Sequence, residues 1–209
     1  MSTLGLDLQA TFGAIDIYLF DQLLKGRFDH RPRVLDAGCG DGRNLRYLLS
    51  RGFECYGCDR DPAAVDHLRR LAAGTVPQVA DRARRFVVGS VEHLPWADGS
   101  MDAVICSAVL HFADDAAHFE RMVGELWRVL APGGLLFTRL ASNIGLESVI
   151  GSGGRRGRLP DGSDRFVVDA PMLNAWTARL GGRLADPIKT TVVQGQRAMT
   201  TWCLIRSPA

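Results

Sequence analysis

The chain has 209 residues, 46% of them hydrophobic and 23% charged, with a formal net charge of +2. That is ordinary globular composition, at a length that suits one large α/β domain able to bury its own core. No run of 18 apolar residues suggests a membrane span, and no strongly basic balance suggests a nucleic-acid partner.

The start, MSTLGLDLQATFGAIDIYLF, has no basic opening and carries Asp7 and Asp16 inside its apolar part, so it does not read as a secretory leader. Residues 6–25 read instead as one amphipathic helix. From residue 33 short apolar runs alternate with helical ones. RVLDAG (33–38), FECYGCD (53–59), RRFVVGS (84–90), MDAVICS (101–107) and GLLFTRLA (134–141) read as strands. GRNLRYLLSRG (42–52) places Leu45, Leu48 and Leu49 on one helical face. In DPAAVDHLRRLAA (61–73), Asp61 is the expected N-cap and Pro62 the first helical residue. A longer helix covers 114–130 and is stopped by APGG. Strands alternating with helices predict parallel β with right-handed crossovers. Residues 142–168 are rich in glycine and arginine, show no clear period, and read as a mobile loop. A helix at about 170–180 leads to RLADPIKTTVVQ and RAMTTWCLIRS, two strands joined by a turn near Gly195 and expected to run antiparallel. One domain is expected over 1–209, with a helical segment at 1–30.

The stretch VLDAGCGDGRN (34–44) joins the first strand to the first crossover helix. Its glycines, Gly38, Gly40 and Gly42, alternate, and Asp36 precedes them. Glycine tolerates positive φ and removes the Cβ that would block a ligand. In doubly wound sheets this junction is where nucleotide-like ligands sit. A dinucleotide needs GxGxxG, with a helix N-terminus aimed at a pyrophosphate. Here the spacing is GxGxG, Arg43 stands where the last glycine would be, and a carboxylate at Asp36 repels a diphosphate while suiting a cation. Cys55 and Cys58 form CxxC, but residues three apart on a strand face opposite ways and no second ligand pair stands at zinc spacing. They read, with Cys39, Cys106 and Cys203, as buried packing in a reducing compartment, the cytoplasm.

VLDAGCGDG resembles the first motif of the class I S-adenosylmethionine (SAM) methyltransferases. GCDRDPAAV resembles the end of that family's second strand. VVGSVEHLPWADGSMDAVICSAVLHF resembles its third-strand, adenine and fourth-strand segments, and LWRVLAPGGLLFTRL its fifth-strand region. Together these cover residues 33–140 in order. The resemblance implies a doubly wound, seven-stranded, mostly parallel Rossmann-like sheet with an antiparallel C-terminal strand, and SAM as cofactor. It implies that the loop Asp36, Ala37, Gly38, Cys39 and Gly40 approaches the cofactor, with Asp36 ordering the loop or meeting the methionine amino group. It places Asp59 on the ribose hydroxyls and Arg60 over the adenine or in solvent. Ser90 stands where the family often has an acid; Ser90, the Val91 amide and Glu92 serve the adenine. Ser107 lies at the methionine end.

Methyl transfer needs position and exclusion of water more than acid–base machinery. His111 is read as a base or a pocket wall, and Arg139 as a partner for an anionic acceptor or as a surface ion pair. Tyr18 and Phe12 either cover the cofactor or pack in the core. SAVLHF lacks the Asn-Pro-Pro-aromatic pattern of enzymes acting on nucleic acid, so a small-molecule acceptor is expected, and no nucleic acid or membrane. GCGDGRN is similar to the tellurite-resistance methyltransferases and the quinone-biosynthesis group. A SAM-binding sensor or partner subunit without catalysis is the alternative. The segment from Ser142 to Arg165 is expected to act as a lid over the acceptor pocket.

Overall fold

The structure, a computed structural model, describes residues 7–75 and 82–208; residue 6, the first of the expected leading helix, lies outside them. The leading helix is broken into α1 (Leu8–Phe12) and α2 (Ile17–Leu24). Gly13 at φ +59° ends the first, and the side chains of Asp7 and Asp16 cap the two helices by accepting from Ala10 N and Tyr18 N. The two acids that interrupt the apolar run are thus helix starts, each satisfying an otherwise unpartnered amide.

Then follow β1 (Arg33–Ala37), α3 (Arg46–Ser50), β2 (Glu54–Asp59), α4 (Pro62–Thr75), α5 (Arg82–Arg85), β3 (Phe86–Val88) and β4 (Met101–Ser107). A 3-10 turn (Leu110–Phe112) leads to α6 (Ala116–Val129) and β5 (Leu130–Ser142). The APGG stretch does not only stop α6: it is the start of β5, where the register against β4 shifts between Met101 and Ala103.

Residues 142–168 are folded, contrary to the structureless loop expected. They hold α7 (Glu147–Ile150) and an antiparallel hairpin of β6 (Arg155–Arg158) and β7 (Asp164–Val167). Phe166 at the base of β7 is fully buried, its ring 5.1 Å from that of Phe119 on α6. The chain ends with α8 (Ala170–Arg179), β8 (Gly182–Leu184), β9 (Lys189–Val193) and β10 (Arg197–Arg206).

The main sheet runs β3-β2-β1-β4-β5-β10-β8, with β9 also paired to β10. The first five strands are parallel, and β10 is antiparallel to β5. This is the doubly wound, mostly parallel sheet with an antiparallel C-terminal strand, with one strand more than seven. RLADPIKTTVVQ is two strands: β8 pairs with the last residues of β10 and β9 with its first. Pro187 lies between them and has no amide to give a ladder.

Alternation sorts the core onto two faces. Val34, Ala103, Leu135 and Phe137 pack with α2, α3 and α4; Leu35, Val104 and Leu136 pack with α6 and α8. Cys55 belongs to the first face and Cys58 to the second. All five cysteines are free and buried. Among the described residues no helix is long and apolar enough to cross a membrane.

Candidate functional site: two adjoining clefts at the carboxyl end of the sheet

The three glycines of the first loop do different work. A Cβ on Gly38 (φ +82°) would lie 2.2 Å from Val109 Cγ2, and one on Gly42 (φ +85°) 2.5 Å from Leu68 Cδ1. These two let the loop pack against the segment after β4 and against α4. A Cβ on Gly40 (φ +50°) would meet nothing within 4 Å. A side chain there would enter open space, which is the condition for a ligand to approach the backbone, although the cleft beside the loop is lined by Gly38.

The amides of Gly38 and Cys39 both donate to the Cys58 carbonyl, at 2.7 and 3.0 Å. Ala37 and Cys39 are buried, and of the loop residues 36–40 only Gly38 lines one of the two clefts.

Asp59, at the end of β2, holds the loop and the next helix together. Its Oδ2 accepts from Gly40 N at 2.8 Å and its Oδ1 from Asp61 N at 3.0 Å. Asp61 then accepts from Ala63 N at 2.9 Å, as expected of the helix start. Asp59 therefore lines the first cleft, of about 420 Å³, with its carboxylate already oriented. Gly38, Arg60, Val91, Glu92 and His118 share that cleft.

Glu92 organises the cleft's far wall. It accepts from the Ser90 hydroxyl, from Arg60 at 2.7 Å and meets His118 Nε2 at 3.0 Å. Burial opposes its charge, yet the Ser90 hydroxyl, its own backbone amide and the Arg60 guanidinium outweigh that and hold its pKa at about 2. The carboxylate that an acid in place of Ser90 would supply is supplied two residues later. His118 on α6 and Asp114, which also meets its ring at 3.1 Å, were not legible as site residues: only the tertiary fold brings α6 to this wall.

Beneath the loop Asp36 is fully buried, with the Asn44 side chain its polar neighbour. Burial pushes its pKa up to about 8; Arg43 and the Asn44 side chain oppose that, while Asp59 and Asp16 reinforce it. A buried carboxyl with so little hydrogen bonding is costly to ionise unless something cationic comes to it.

Ser107 links the loop side to the second cleft. Its hydroxyl donates to Asp16 Oδ2 at 3.0 Å, and the same oxygen takes Arg139 Nη1 at 3.3 Å. Asp16 N donates to Asn44 Oδ1 at 3.1 Å, so the turn before α2 is strapped across the ends of β1, β4 and β5. Arg139 also lies over the Tyr18 ring, 5.1 Å from its centroid. Tyr18 bonds Thr191 and so joins this group, whereas Phe12 packs on Phe20 and Tyr47.

The second cleft, about 450 Å³, is lined by His111, Phe112, Arg139, Arg165 and Arg197 among others. Phe112 lines both clefts. His111 is 6% exposed, and its Nδ1 has no partner. Burial, then the fields of Arg165 and Arg139, push its pKa down to about 4. The hairpin β6–β7 forms a wall here, and Arg156 Nη1 ties it to the carbonyls of Phe112 and Ala113 at 3.2 and 3.1 Å.

A family model described as a methyltransferase domain matches residues 35–138, the span that carries both clefts' strand ends as far as β5. The chain belongs to the class I SAM-dependent methyltransferase family. An uncharacterised methyltransferase of Mycobacterium tuberculosis is 36% identical over 104 residues, 50% of this chain and 37% of that one. A malonyl-[acyl-carrier protein] O-methyltransferase of Serratia marcescens is 32% identical over 111 residues, 53% of this chain and 39% of its own. The chain thus matches well under half the length of these curated relatives. In fold it is similar to magnesium protoporphyrin IX methyltransferase from Synechocystis, solved with bound S-adenosylhomocysteine: TM-score 0.67, 20% identity, 92% of this chain and 81% of that one.

Proposed function

We propose that this protein transfers the methyl group of SAM to a small-molecule acceptor. The observation that carries the reading is the fully buried, poorly satisfied carboxyl of Asp36 under a glycine loop that opens at Gly40. Such a carboxyl fits a cationic amino group and rejects a diphosphate. When bound, SAM supplies a methyl already activated on a sulfonium. The chain's task is then to bind, align and exclude water.

Asp36 takes the amino group of the methionine end. Asp59 faces the ribose hydroxyls, with its geometry set by Gly40 N and Asp61 N. The Val91 amide and the Glu92 carboxylate receive the adenine edge. Ser107, strapped to Asp16, closes the methionine end. The second cleft takes the acceptor, and its arginines favour an anionic one. The hairpin β6–β7 covers that cleft, and its opening is the lid motion of this reading. The free cysteines fit work in the cytoplasm.

The test has two arms. Calorimetry should find S-adenosylhomocysteine bound and NAD not; the reverse result ends the reading. Labelled SAM incubated with cell-extract metabolites should then yield a labelled small product. Saturable binding with no product from any extract would leave a SAM-binding module without transfer.

A further inference from the structure

The second cleft holds more positive charge than its neighbours cancel. Arg139 comes from β5, Arg165 from β7 and Arg197 from β10. Against these three guanidiniums stand Asp161 at the hairpin tip and Asp16 behind Arg139. Asp161 is exposed and engaged by Ser163, at 3.0 Å from its amide and 2.6 Å from its hydroxyl. Asp16 is shared with Ser107 and the Tyr18 amide. Three guanidiniums against two carboxylates that are already engaged call for a ligand group that is polar and negative.

We infer, resting on the methyl-transfer reading, that the acceptor reacts as a preformed oxyanion, a carboxylate or an acidic phenol or enol, and that His111 meets it as a neutral hydrogen-bonding group and not as its base. The surplus of guanidinium charge stabilises an ionised oxygen in the cleft. His111 is buried and faces the same guanidiniums, both of which disfavour an imidazolium there, so His111 is a poor place to put a proton. The chemistry balances without one. The oxygen's lone pair forms the O–C bond, the S–C bonding pair returns to sulfur, the two opposite charges cancel, and no proton is released. The product has lost the charge the cleft binds, which favours its departure.

4-Nitrophenol is the probe, because its phenolate absorbs in the visible and its ionisation lies near neutrality. It is titrated with protein saturated with S-adenosylhomocysteine. Bound probe should ionise about one pH unit below free probe, a tenfold shift in the ionisation constant. The double variant Arg165→Gln, Arg197→Gln should remove most of that shift with S-adenosylhomocysteine affinity unchanged. His111→Phe, checked for the same cofactor affinity, should leave the bound probe ionised. An unshifted or raised ionisation pH, no saturable binding of the probe, or loss of the phenolate in His111→Phe overturns the inference. Failure of S-adenosylhomocysteine to bind wild-type protein sinks the methyltransferase reading instead, and the two failures are read in separate measurements.

Discussion

At the scale of single residues, the alternate glycines of the first loop carry different burdens and their replacements should separate. Gly38→Ala adds a Cβ 2.2 Å from Val109 at φ +82°. Left-handed backbone costs about 1–2 kcal/mol for a residue with a Cβ, and overpacking about 1–3 more. Urea titration should show a loss of roughly 2–5 kcal/mol. Gly40→Ala meets open space at φ +50°, so its stability loss should stay at the backbone cost of about 1–2 kcal/mol. Its S-adenosylhomocysteine affinity should nevertheless fall, because the new methyl enters the ligand's space; undiminished affinity would remove that space from the cofactor site. Asp59 and Asp61 form a second pair. Asp59→Ala removes the acceptor of two amides and the proposed ribose contact, and should weaken S-adenosylhomocysteine binding by about 10- to 150-fold, from roughly 1.5–3 kcal/mol. Asp61→Ala removes only a helix start and should cost about 0.5–2 kcal/mol of stability with affinity kept. Equal effects on binding from both would show that Asp59 acts only through the start of α4.

At the scale of elements, what was legible in the chain is what local chemistry decides. The five parallel strands, α4, α6 and the β9–β10 hairpin declare themselves through period, caps and turn residues. The leading helix was misread because an apolar stripe can continue across a break. Only the caps at Asp7 and Asp16, together with Gly13 at φ +59°, mark two helices. The hairpin β6–β7 was misread for a different reason. Its strands are RRGR and DRFV, whose partners are supplied by each other and by Phe119, not by any alternation of their own. The cofactor side of the site was legible as a motif, and Arg165 lies in the segment expected to cover the acceptor pocket, whereas Arg197 and His118 reach the clefts by tertiary folding alone. Phe166 is the hairpin's anchor. Phe166→Ala should cost about 3–5 kcal/mol if the hairpin belongs to the cooperative core. A loss below 1 kcal/mol in a two-state urea transition, with faster amide exchange confined to 155–167, would mean that the hairpin opens by unfolding on its own and not as a folded cover.

At the scale of the whole molecule, Asp36 links folding, pH and ligand. Its carboxyl ionises at about 8 in the fold and at about 4 in the unfolded chain. Between those values the unfolded chain holds fewer protons, so stability falls as pH rises from about 4 to about 8 and is flat above. A fully buried carboxyl therefore lowers the stability of the fold at neutral pH. A cationic amino group arriving beside Asp36 favours the carboxylate, so binding must expel the proton that Asp36 otherwise keeps. Calorimetry of S-adenosylhomocysteine at pH 7 should consequently depend on the buffer's ionisation enthalpy, with up to about one proton released per ligand. Asp36→Asn should abolish that release, weaken binding, and raise the melting temperature of the ligand-free protein, since the amide has no proton to reclaim on folding. Binding heats identical in two buffers of very different ionisation enthalpy, together with an Asp36→Asn variant no more stable than wild type, would mean that Asp36 is already ionised before binding and that its neighbours, not the ligand, balance its charge.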